Sequence, residues 1–313
     1  MRFDENEILV SVWMTTYNHE SYISEAIEGV LNQKTNFSYD LIIGEDFSTD
    51  KTREICLKYK NKYPELIKLI LNNQNIGLIG NYNTTLQKCK GKYVAYCDGD
   101  DYWTDPFKLQ KQVDFIELNV SFDLVFTDKN VLSGTKIYIS EGKELVTDIS
   151  FETLVLSNMI CPSTVLIKTE IAKKYSLSVT ETAIIRNWLT FDYPLWLLIS
   201  MDHEIGFIPD ATCVYRFVPD SGSHPYDTLK AYYWDKCLLD IQLYYYKKYI
   251  IHEKYRNKKF RNKFKEMVFH SRKQMILKYG WIAKKDFIDI LKMNPIFYFF
   301  LIYSKWERCK KRA

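Results

Sequence analysis

The sequence predicts an α/β fold: a sheet of mainly parallel strands flanked by helices, with a helical region appended at the C-terminus. Over the first 130 residues, apolar runs of strand length alternate with segments of helical periodicity, the pattern of successive βα units. These strand runs end in polar or acidic tips. Charge also divides the chain: through Leu229 there are 21 basic and 32 acidic residues, a balance of −11, whereas Lys230 to Ala313 holds 22 and 7, or +15. The expected organisation is a domain over residues 1–227, with halves of about 1–130 and 131–227, and a basic, aromatic-rich helical region over 228–313. A chain of 313 residues with 47% hydrophobic and 26% charged residues buries a substantial core, which excludes a disordered protein.

Ile8 to Met14 is a buried-strand run, and Ser21 to Leu31 places Ile23, Ala26, Ile27 and Val30 on one helical face. Leu41 to Ile43 is a second strand, Thr52 to Tyr63 a helix stopped by Pro64, Ile67 to Leu71 a third strand and Ile79 to Cys89 a third helix. Gly91 follows that helix, and Tyr93 to Cys97 is a fourth strand running into acidic residues. A helix over Phe107 to Leu118 precedes a strand at Leu124 to Phe126; residues 130–150 are polar and poorly periodic and receive no assignment. Ser163 to Ile167 reads as a strand, Thr190 to Met201 as a helix and Ala211 to Phe217 as a strand. Helices are expected over Thr228 to Ile250, Lys254 to Tyr279, Asp286 to Leu291 and Ile296 to Trp306.

Several classes are excluded by spacing. The longest apolar run, Ile296 to Tyr303, is far below the roughly 20 residues of a membrane span. Residues Met1 to Glu7 carry no apolar signal core and the seven cysteines form no C-x-x-C pair, so a cytoplasmic setting with reduced thiols is expected. No phosphate-binding G-x-x-x-x-G-K-[ST], no G-x-G-x-x-G after a strand and no G-x-S-x-G elbow occurs, and the five histidines lack zinc-site spacing.

In an open α/β sheet the ligand site lies beyond the carboxyl ends of the strands, here Thr15 to His19, Glu45 to Asp50, Asn72 to Gly80 and Asp98 to Trp103. The strongest signal is Asp98-Gly99-Asp100-Asp101. Carboxylates so close repel one another unless a cation sits among them, and Mg2+ or Mn2+ suits oxygen ligands that also hold substrate phosphates. A solvated acidic turn explains the same residues. Glu45 and Asp46 can accept hydrogen bonds from a ribose or base; Ser48 or Asp50 capping the next helix is the plainer reading of that loop. Thr15-Thr16-Tyr17-Asn18 offers hydroxyls, a ring and an amide to a nucleobase, or is merely a turn before a helix.

In this order, and with Asn75-Ile76-Gly77, Asn81 and Lys90-Gly91-Lys92-Tyr93 between them, these motifs resemble the family 2 glycosyltransferases of the GT-A fold. The resemblance covers about residues 8–130 and resumes at Thr190 to Trp196 and Val214-Tyr215-Arg216. It implies an inverting, non-processive enzyme that moves a sugar from a nucleotide donor, most simply a UDP-sugar, to a hydroxyl of a glycan carried on lipid or protein. It implies donor contacts from Thr16, Tyr17, Asn18, Glu45, Asp46, Asn75, Gly77 and Asp98. Asp100 and Asp98 would hold a divalent metal (Mn2+ or Mg2+), with Asp101 a further candidate, and Asp192 would be the general base. The lone Asp192 carboxylate before an apolar helix fits that role through desolvation, though it also suits helix capping. The sequence departs from the family at Tyr215-Arg216-Phe217-Val218, where a histidine often follows; either Arg216 or His224 is the candidate diphosphate contact. The processive Gln-x-x-Arg-Trp motif is absent.

A nucleotidyltransferase or a non-catalytic nucleotide-sugar-binding protein on a similar sheet is the alternative. The first-strand loop lacks the glycines and lysine of the former, and Asp98, Asp100 and Asp192 would be surplus in the latter. The C-terminal region carries 20 of the 49 aromatic residues. It reads as a packed helical appendage, with Phe260, Phe264, Met267 and Ser271 near one face, as a subunit contact, or as a peripheral attachment to the inner face of an anionic membrane. No nucleic-acid-binding module is present.

Overall fold

The computed structural model describes residues 7–140, 149–251 and 257–293. The chain forms two compact units, Met1–Val218 and Pro219–Ala313.

The first unit is built on a mixed nine-stranded sheet. Its leading half contains β1 (Ile8–Thr16), β2 (Ser38–Glu45), β3 (Ile67–Leu71) and β4 (Tyr93–Tyr96), linked by α1 (Ile23–Leu31), α2 (Thr52–Lys62) and α3 (Gly77–Lys88). These four strands are parallel and lie in the order β3-β2-β1-β4. The order reverses beside β1, so the tips of β1, β2 and β4 open on one crevice. Beyond β4 come β8 (Val165–Lys168), β6 (Phe122–Ser133), β9 (Glu204–Phe217) and β5 (Tyr102–Trp103), with β7 (Lys136–Tyr138) paired to β6. The pairs β4–β8, β8–β6 and β9–β5 are antiparallel, whereas β6 and β9 are parallel. The flanking helices are α4 (Lys108–Leu118), α5 (Phe151–Leu156), α6 (Thr169–Arg186) and α7 (Asp192–Ile199). Val10, Val12 and Met14 of β1 and Leu41 and Ile43 of β2 share a core with Ile23, Ala26, Ile27 and Val30 of α1, the face that the helical periodicity predicts.

Three departures from the sequence reading have physical causes. β6 runs to Ser133 and pairs along its whole length with β9, so tertiary pairing makes a strand of the polar stretch after Phe126. β9 likewise begins at Glu204 instead of Ala211. The helix α6 is missed because its buried face is built from small and polar groups, including Ala172, Ser176 and Ala183, while Ile184 and Ile185 lie exposed. No apolar stripe announces it; Asn187 ends it in the left-handed conformation, φ 54°.

In the second unit, α8 (Thr228–Ile250) is capped by Asp227, which accepts from the Lys230 amide at 2.8 Å, and α9 (Lys258–Tyr279) by Asn257. α10 (Lys284–Met293) follows a short 3-10 turn. Tyr246 and Phe264 stack with centroids 3.7 Å apart, and Phe260, Phe264, Val268, Met275 and Tyr279 are buried on α9. Buried phenols meet carboxylates here: Tyr232 donates to Asp286 at 2.8 Å and Tyr279 to Asp235. The helix expected at Ile296 to Trp306 lies outside the described residues. Among the described residues, no helix is long and apolar enough to cross a membrane, and none of the described cysteines is in a disulfide.

Candidate active site

Three strand tips build the crevice. At the end of β1, Thr16 is buried and Tyr17 exposed, and Asn18 takes a positive φ of 54°. That turn brings Asn18 against the β2 loop: its side-chain Oδ1 accepts from the Thr49 backbone amide at 2.9 Å, and its backbone N–H donates to Ser48 Oγ at 3.0 Å. Phe47, also at positive φ, exposes its ring beneath the Arg53 guanidinium. Two non-glycine residues in the left-handed region thus sit in two loops joined by these bonds, a cost tolerated where surrounding contacts fix them.

At the end of β2, both carboxylates find protein partners. Glu45 has no exposed surface; one oxygen accepts from the Ser48 amide at 2.6 Å and the other pairs with Arg53. Asp46 Oδ1 accepts from Asn72 Nδ2 and the Ile76 amide, both at 2.9 Å. Asn75 closes the same turn on the Gly77 amide, and Gly77 sits at φ +76°, a conformation that favours glycine.

The β4 tip is different. Asp98 Oδ1 accepts from Tyr82, Tyr96 and Thr15 at 2.8, 3.1 and 3.4 Å. Burial, then the charges of Asp100 and Asp101, push its carboxyl well above the usual range. Asp101 is buried and accepts from Ser163 Oγ at 2.7 Å and from the Arg216 amide at 2.8 Å; burial and Asp100 push it up to about 7 despite these donors. Asp100 is half-buried, and no described residue meets its carboxylate. Gly99 is packed so closely that a Cβ there would lie 2.8 Å from Thr16 Oγ1 and 2.9 Å from His19 Nδ1. Those two atoms are buried without a hydrogen-bond partner among the described residues.

Arg216 fastens this loop. Its guanidinium donates to the Asp100 carbonyl at 2.6 Å, pairs with Glu25 of α1 and lies over the rings of Tyr22 and Tyr102 at 4.9 and 4.8 Å. The side chain expected at a diphosphate is therefore committed to protein partners. The other candidate, His224, belongs to the second unit, where its Nδ1 is 2.9 Å from Ser223 Oγ.

Asp192 opens α7 with buried neighbours Phe191 and Tyr193. Burial raises its carboxyl, opposed by the Thr190 hydroxyl that donates to it. Its charge is felt by Asp98 and Tyr82, so the fold brings this segment to the β4 tip. Asp98, Asp100 and Asp192 thus gather in one region, with Thr16 packed on Gly99; Asn18, Asp46, Asn75 and Gly77 line the loops of β1 and β2. Glu45 and Asp101 are enclosed by protein donors. Sequence reasoning overlooked Tyr82 and Ser163. The only trace of Tyr82 is the polar inner face of α3, where Asn81, Tyr82 and Thr85 are buried together; Ser163 left none.

The sequence profile of glycosyl transferase family 2 matches residues 11–175, more than half of the chain. The chain belongs to glycosyl transferase family 2. Relatives include an uncharacterized protein of Mycobacterium tuberculosis, 34% identical over 209 residues, covering 66% of this chain and 58% of that protein. The present chain thus spans less than two thirds of that relative's length. Another is UDP-Glc:alpha-D-GlcNAc-diphosphoundecaprenol beta-1,3-glucosyltransferase WfgD of Escherichia coli, 29% identical over 205 residues, 65% of this chain and 74% of that enzyme. Among solved structures, S. aureus TarS 1-349 in complex with UDP matches with a TM-score of 0.58 at 18% identity, over 93% of this chain and 91% of that one. The mannosyltransferase PcManGT from Pyrobaculum calidifontis, in complex with GDP-Man and Mn2+, gives 0.57 at 16% identity, over 96% and 80%. This family 2 chain accordingly has the GT-A fold: a curled mixed sheet flanked by helices, with a helical C-terminal region.

Proposed function

We propose that the protein is an inverting glycosyltransferase that moves a sugar from a nucleotide donor to a hydroxyl of a glycan acceptor. The observation that carries this reading is that Asp98 and Asp192, far apart in sequence, share Tyr82 as a neighbour. In the proposed reaction an acceptor oxygen attacks the anomeric carbon, the bond to the diphosphate breaks with its electron pair leaving on the phosphate oxygen, and Asp192 takes the acceptor proton. A carboxylate raised by burial suits that task better than a solvated one.

The β4 tip fits a divalent cation. Asp100 is unpaired, Asp98 has one oxygen to spare, and no protein cation touches either carboxylate. Among the described residues no group of three or more His, Cys, Asp or Glu could hold a metal ion, so a cation at Asp98 and Asp100 would take its remaining ligands from donor phosphates and water. When bound, Mn2+ or Mg2+ neutralises charge developing on the leaving diphosphate. Asp101 is better read as a strut than as a metal ligand, because both its oxygens already hold Ser163 and β9. Glu45 and Arg216 are read in the same way, which leaves Thr16, Tyr17, Asn18, Asp46, Asn75, Gly77 and Asp98 as donor contacts.

UDP is the favoured nucleotide; relatives with UDP and with GDP-Man keep both worth testing. The WfgD name supports an acceptor carried on a lipid diphosphate. The buried aromatic seam of α8 and α9 supports a packed appendage over insertion of its rings into a bilayer. Lys258, Lys259, Arg261, Lys263 and Lys265 remain exposed on α9 and suit anionic headgroups at the inner membrane face. Slow hydrolysis across a panel of UDP- and GDP-sugars, with Mn2+ and with chelator, tests the central reading: turnover of one donor, lost on chelation and in Asp192→Asn, is expected. A protein that neither binds nor hydrolyses any donor would end it.

A further inference from the structure

We propose that Tyr82 is a positioning residue that ties the donor carboxylate to the base-bearing segment, its hydroxyl fixing Asp98 and its ring seating Phe191. The proposal rests on the roles assigned above to Asp98 and Asp192. Tyr82 lies within α3, outside every sequence motif, and is 7% exposed. Its hydroxyl donates to Asp98 Oδ1 at 2.8 Å, and the Tyr96 hydroxyl of β4 and the Thr15 hydroxyl of β1 reach the same atom. A carboxylate oxygen has about two lone-pair sites, so three donors from three elements saturate Oδ1. They hold the carboxylate in one orientation and leave Oδ2, which no described residue meets, as the oxygen turned to a ligand.

The ring does separate work. Tyr82 stacks on Tyr96 and lies against Phe191, both with centroids 5.4 Å apart. Trp13 stands edge-on to Tyr82, Tyr96 and Phe191 at 5.4, 4.6 and 6.1 Å. This wall is continuous from the β4 tip to Phe191, the residue before Asp192. Close-packed aromatic walls deform little, so the wall fixes how far the donor carboxylate stands from the base. A phenylalanine would complete the wall without orienting Asp98; a leucine would do neither. Burying a polar hydroxyl on the inner face of α3 is favourable only because Asp98 accepts from it.

The test is Tyr82→Phe, which removes one oxygen and keeps the ring. UDP and GDP are titrated calorimetrically with and without Mn2+, and donor hydrolysis is followed in parallel. Affinity for the nucleotide with Mn2+ is expected to weaken about tenfold, the scale of one hydrogen bond to a charged acceptor. Donor KM should rise in step, with kcat held within about threefold, the signature of lost ground-state positioning. In an Asp98→Asn background the same change should add nothing, because the partner it positions is gone. Tyr82→Leu, which also removes the wall, should lower kcat in addition. Unchanged nucleotide binding in Tyr82→Phe, a lowered thermal midpoint alone, or a loss fully additive with Asp98→Asn would overturn the proposal and leave the site reading standing. A wild-type protein that binds neither UDP nor GDP with Mn2+ would overturn both.

Discussion

At the end of β2, Glu45 and Asp46 meet two backbone amides, a guanidinium and an asparagine, all from this chain. At the end of β4, on the other side of β1, Asp98, Asp100 and Asp101 have only neutral donors and each other. Both tips are short acidic runs after a buried strand, so composition does not separate them. The difference lies in what the following helix supplies. α2 places Arg53 over the β2 tip, whereas at the β4 tip the Arg216 guanidinium, from β9, pairs with Glu25 and donates to the Asp100 carbonyl instead of a carboxylate of the tip. One tip is complete as folded; the other has no cation on its Asp98 and Asp100 carboxylates among the described residues, and it is there that the proposed function puts a metal.

Substitutions can break or sharpen this contrast, beginning with the carboxylate that belongs to neither tip. Asp192→Asn is expected to lower kcat by roughly 10²–10⁴-fold with donor KM little changed, as for loss of a general base; an enzyme that keeps its kcat denies Asp192 that role. Asp100→Asn should remove the Mn2+ dependence of donor binding and, with it, most turnover, on the order of several kcal/mol of transition-state stabilisation. The equivalent change at the other tip, Glu45→Gln, should leave the Mn2+ response intact and cost about 1–3 kcal/mol of unfolding free energy, measured by denaturant titration, because it leaves Arg53 poorly paired. If Glu45→Gln abolished nucleotide binding while the fold held, the contrast between the tips would be wrong.

The smallest effect concerns pH. Burial raises Asp192, and the Thr190 hydroxyl opposes that shift by bonding the ionised form. A base acts deprotonated, so kcat should rise with pH along an acid limb lying above the usual carboxylate range. Removing the opposing donor in Thr190→Val should move the limb to higher pH. A limb that stays in place, followed by kcat profiles of both proteins, would detach it from Asp192.

The parallel half of the fold was legible because each βα unit states its own boundaries: Pro64 after α2, Gly91 before β4, a one-sided apolar face on α1. The antiparallel half was less so, since β6 is a strand by virtue of β9, and α6 buries alanine and serine in place of leucine. The site divides along the same line. Asp98, Asp100 and Asp192 stood out in the sequence as candidate site residues, and the fold brings them into one region. The enclosure of Glu45 and Asp101, the partners of Arg216 and the place of Tyr82 depend on residues 8 to 116 positions away and leave no local pattern.

Gly99 has a consequence for variation. Thr16 is β-branched on a buried strand and has nowhere to withdraw, so even one methyl group between Asp98 and Asp100 must displace β1 or the acidic loop. In a library randomised at this position, selection for sugar transfer should return glycine alone, while selection for soluble folded protein should also admit alanine. The spacing of the two carboxylates is thus guarded by a residue with no chemistry of its own, and a lineage that lost this glycine would have to rebuild the tip of β1 before regaining activity.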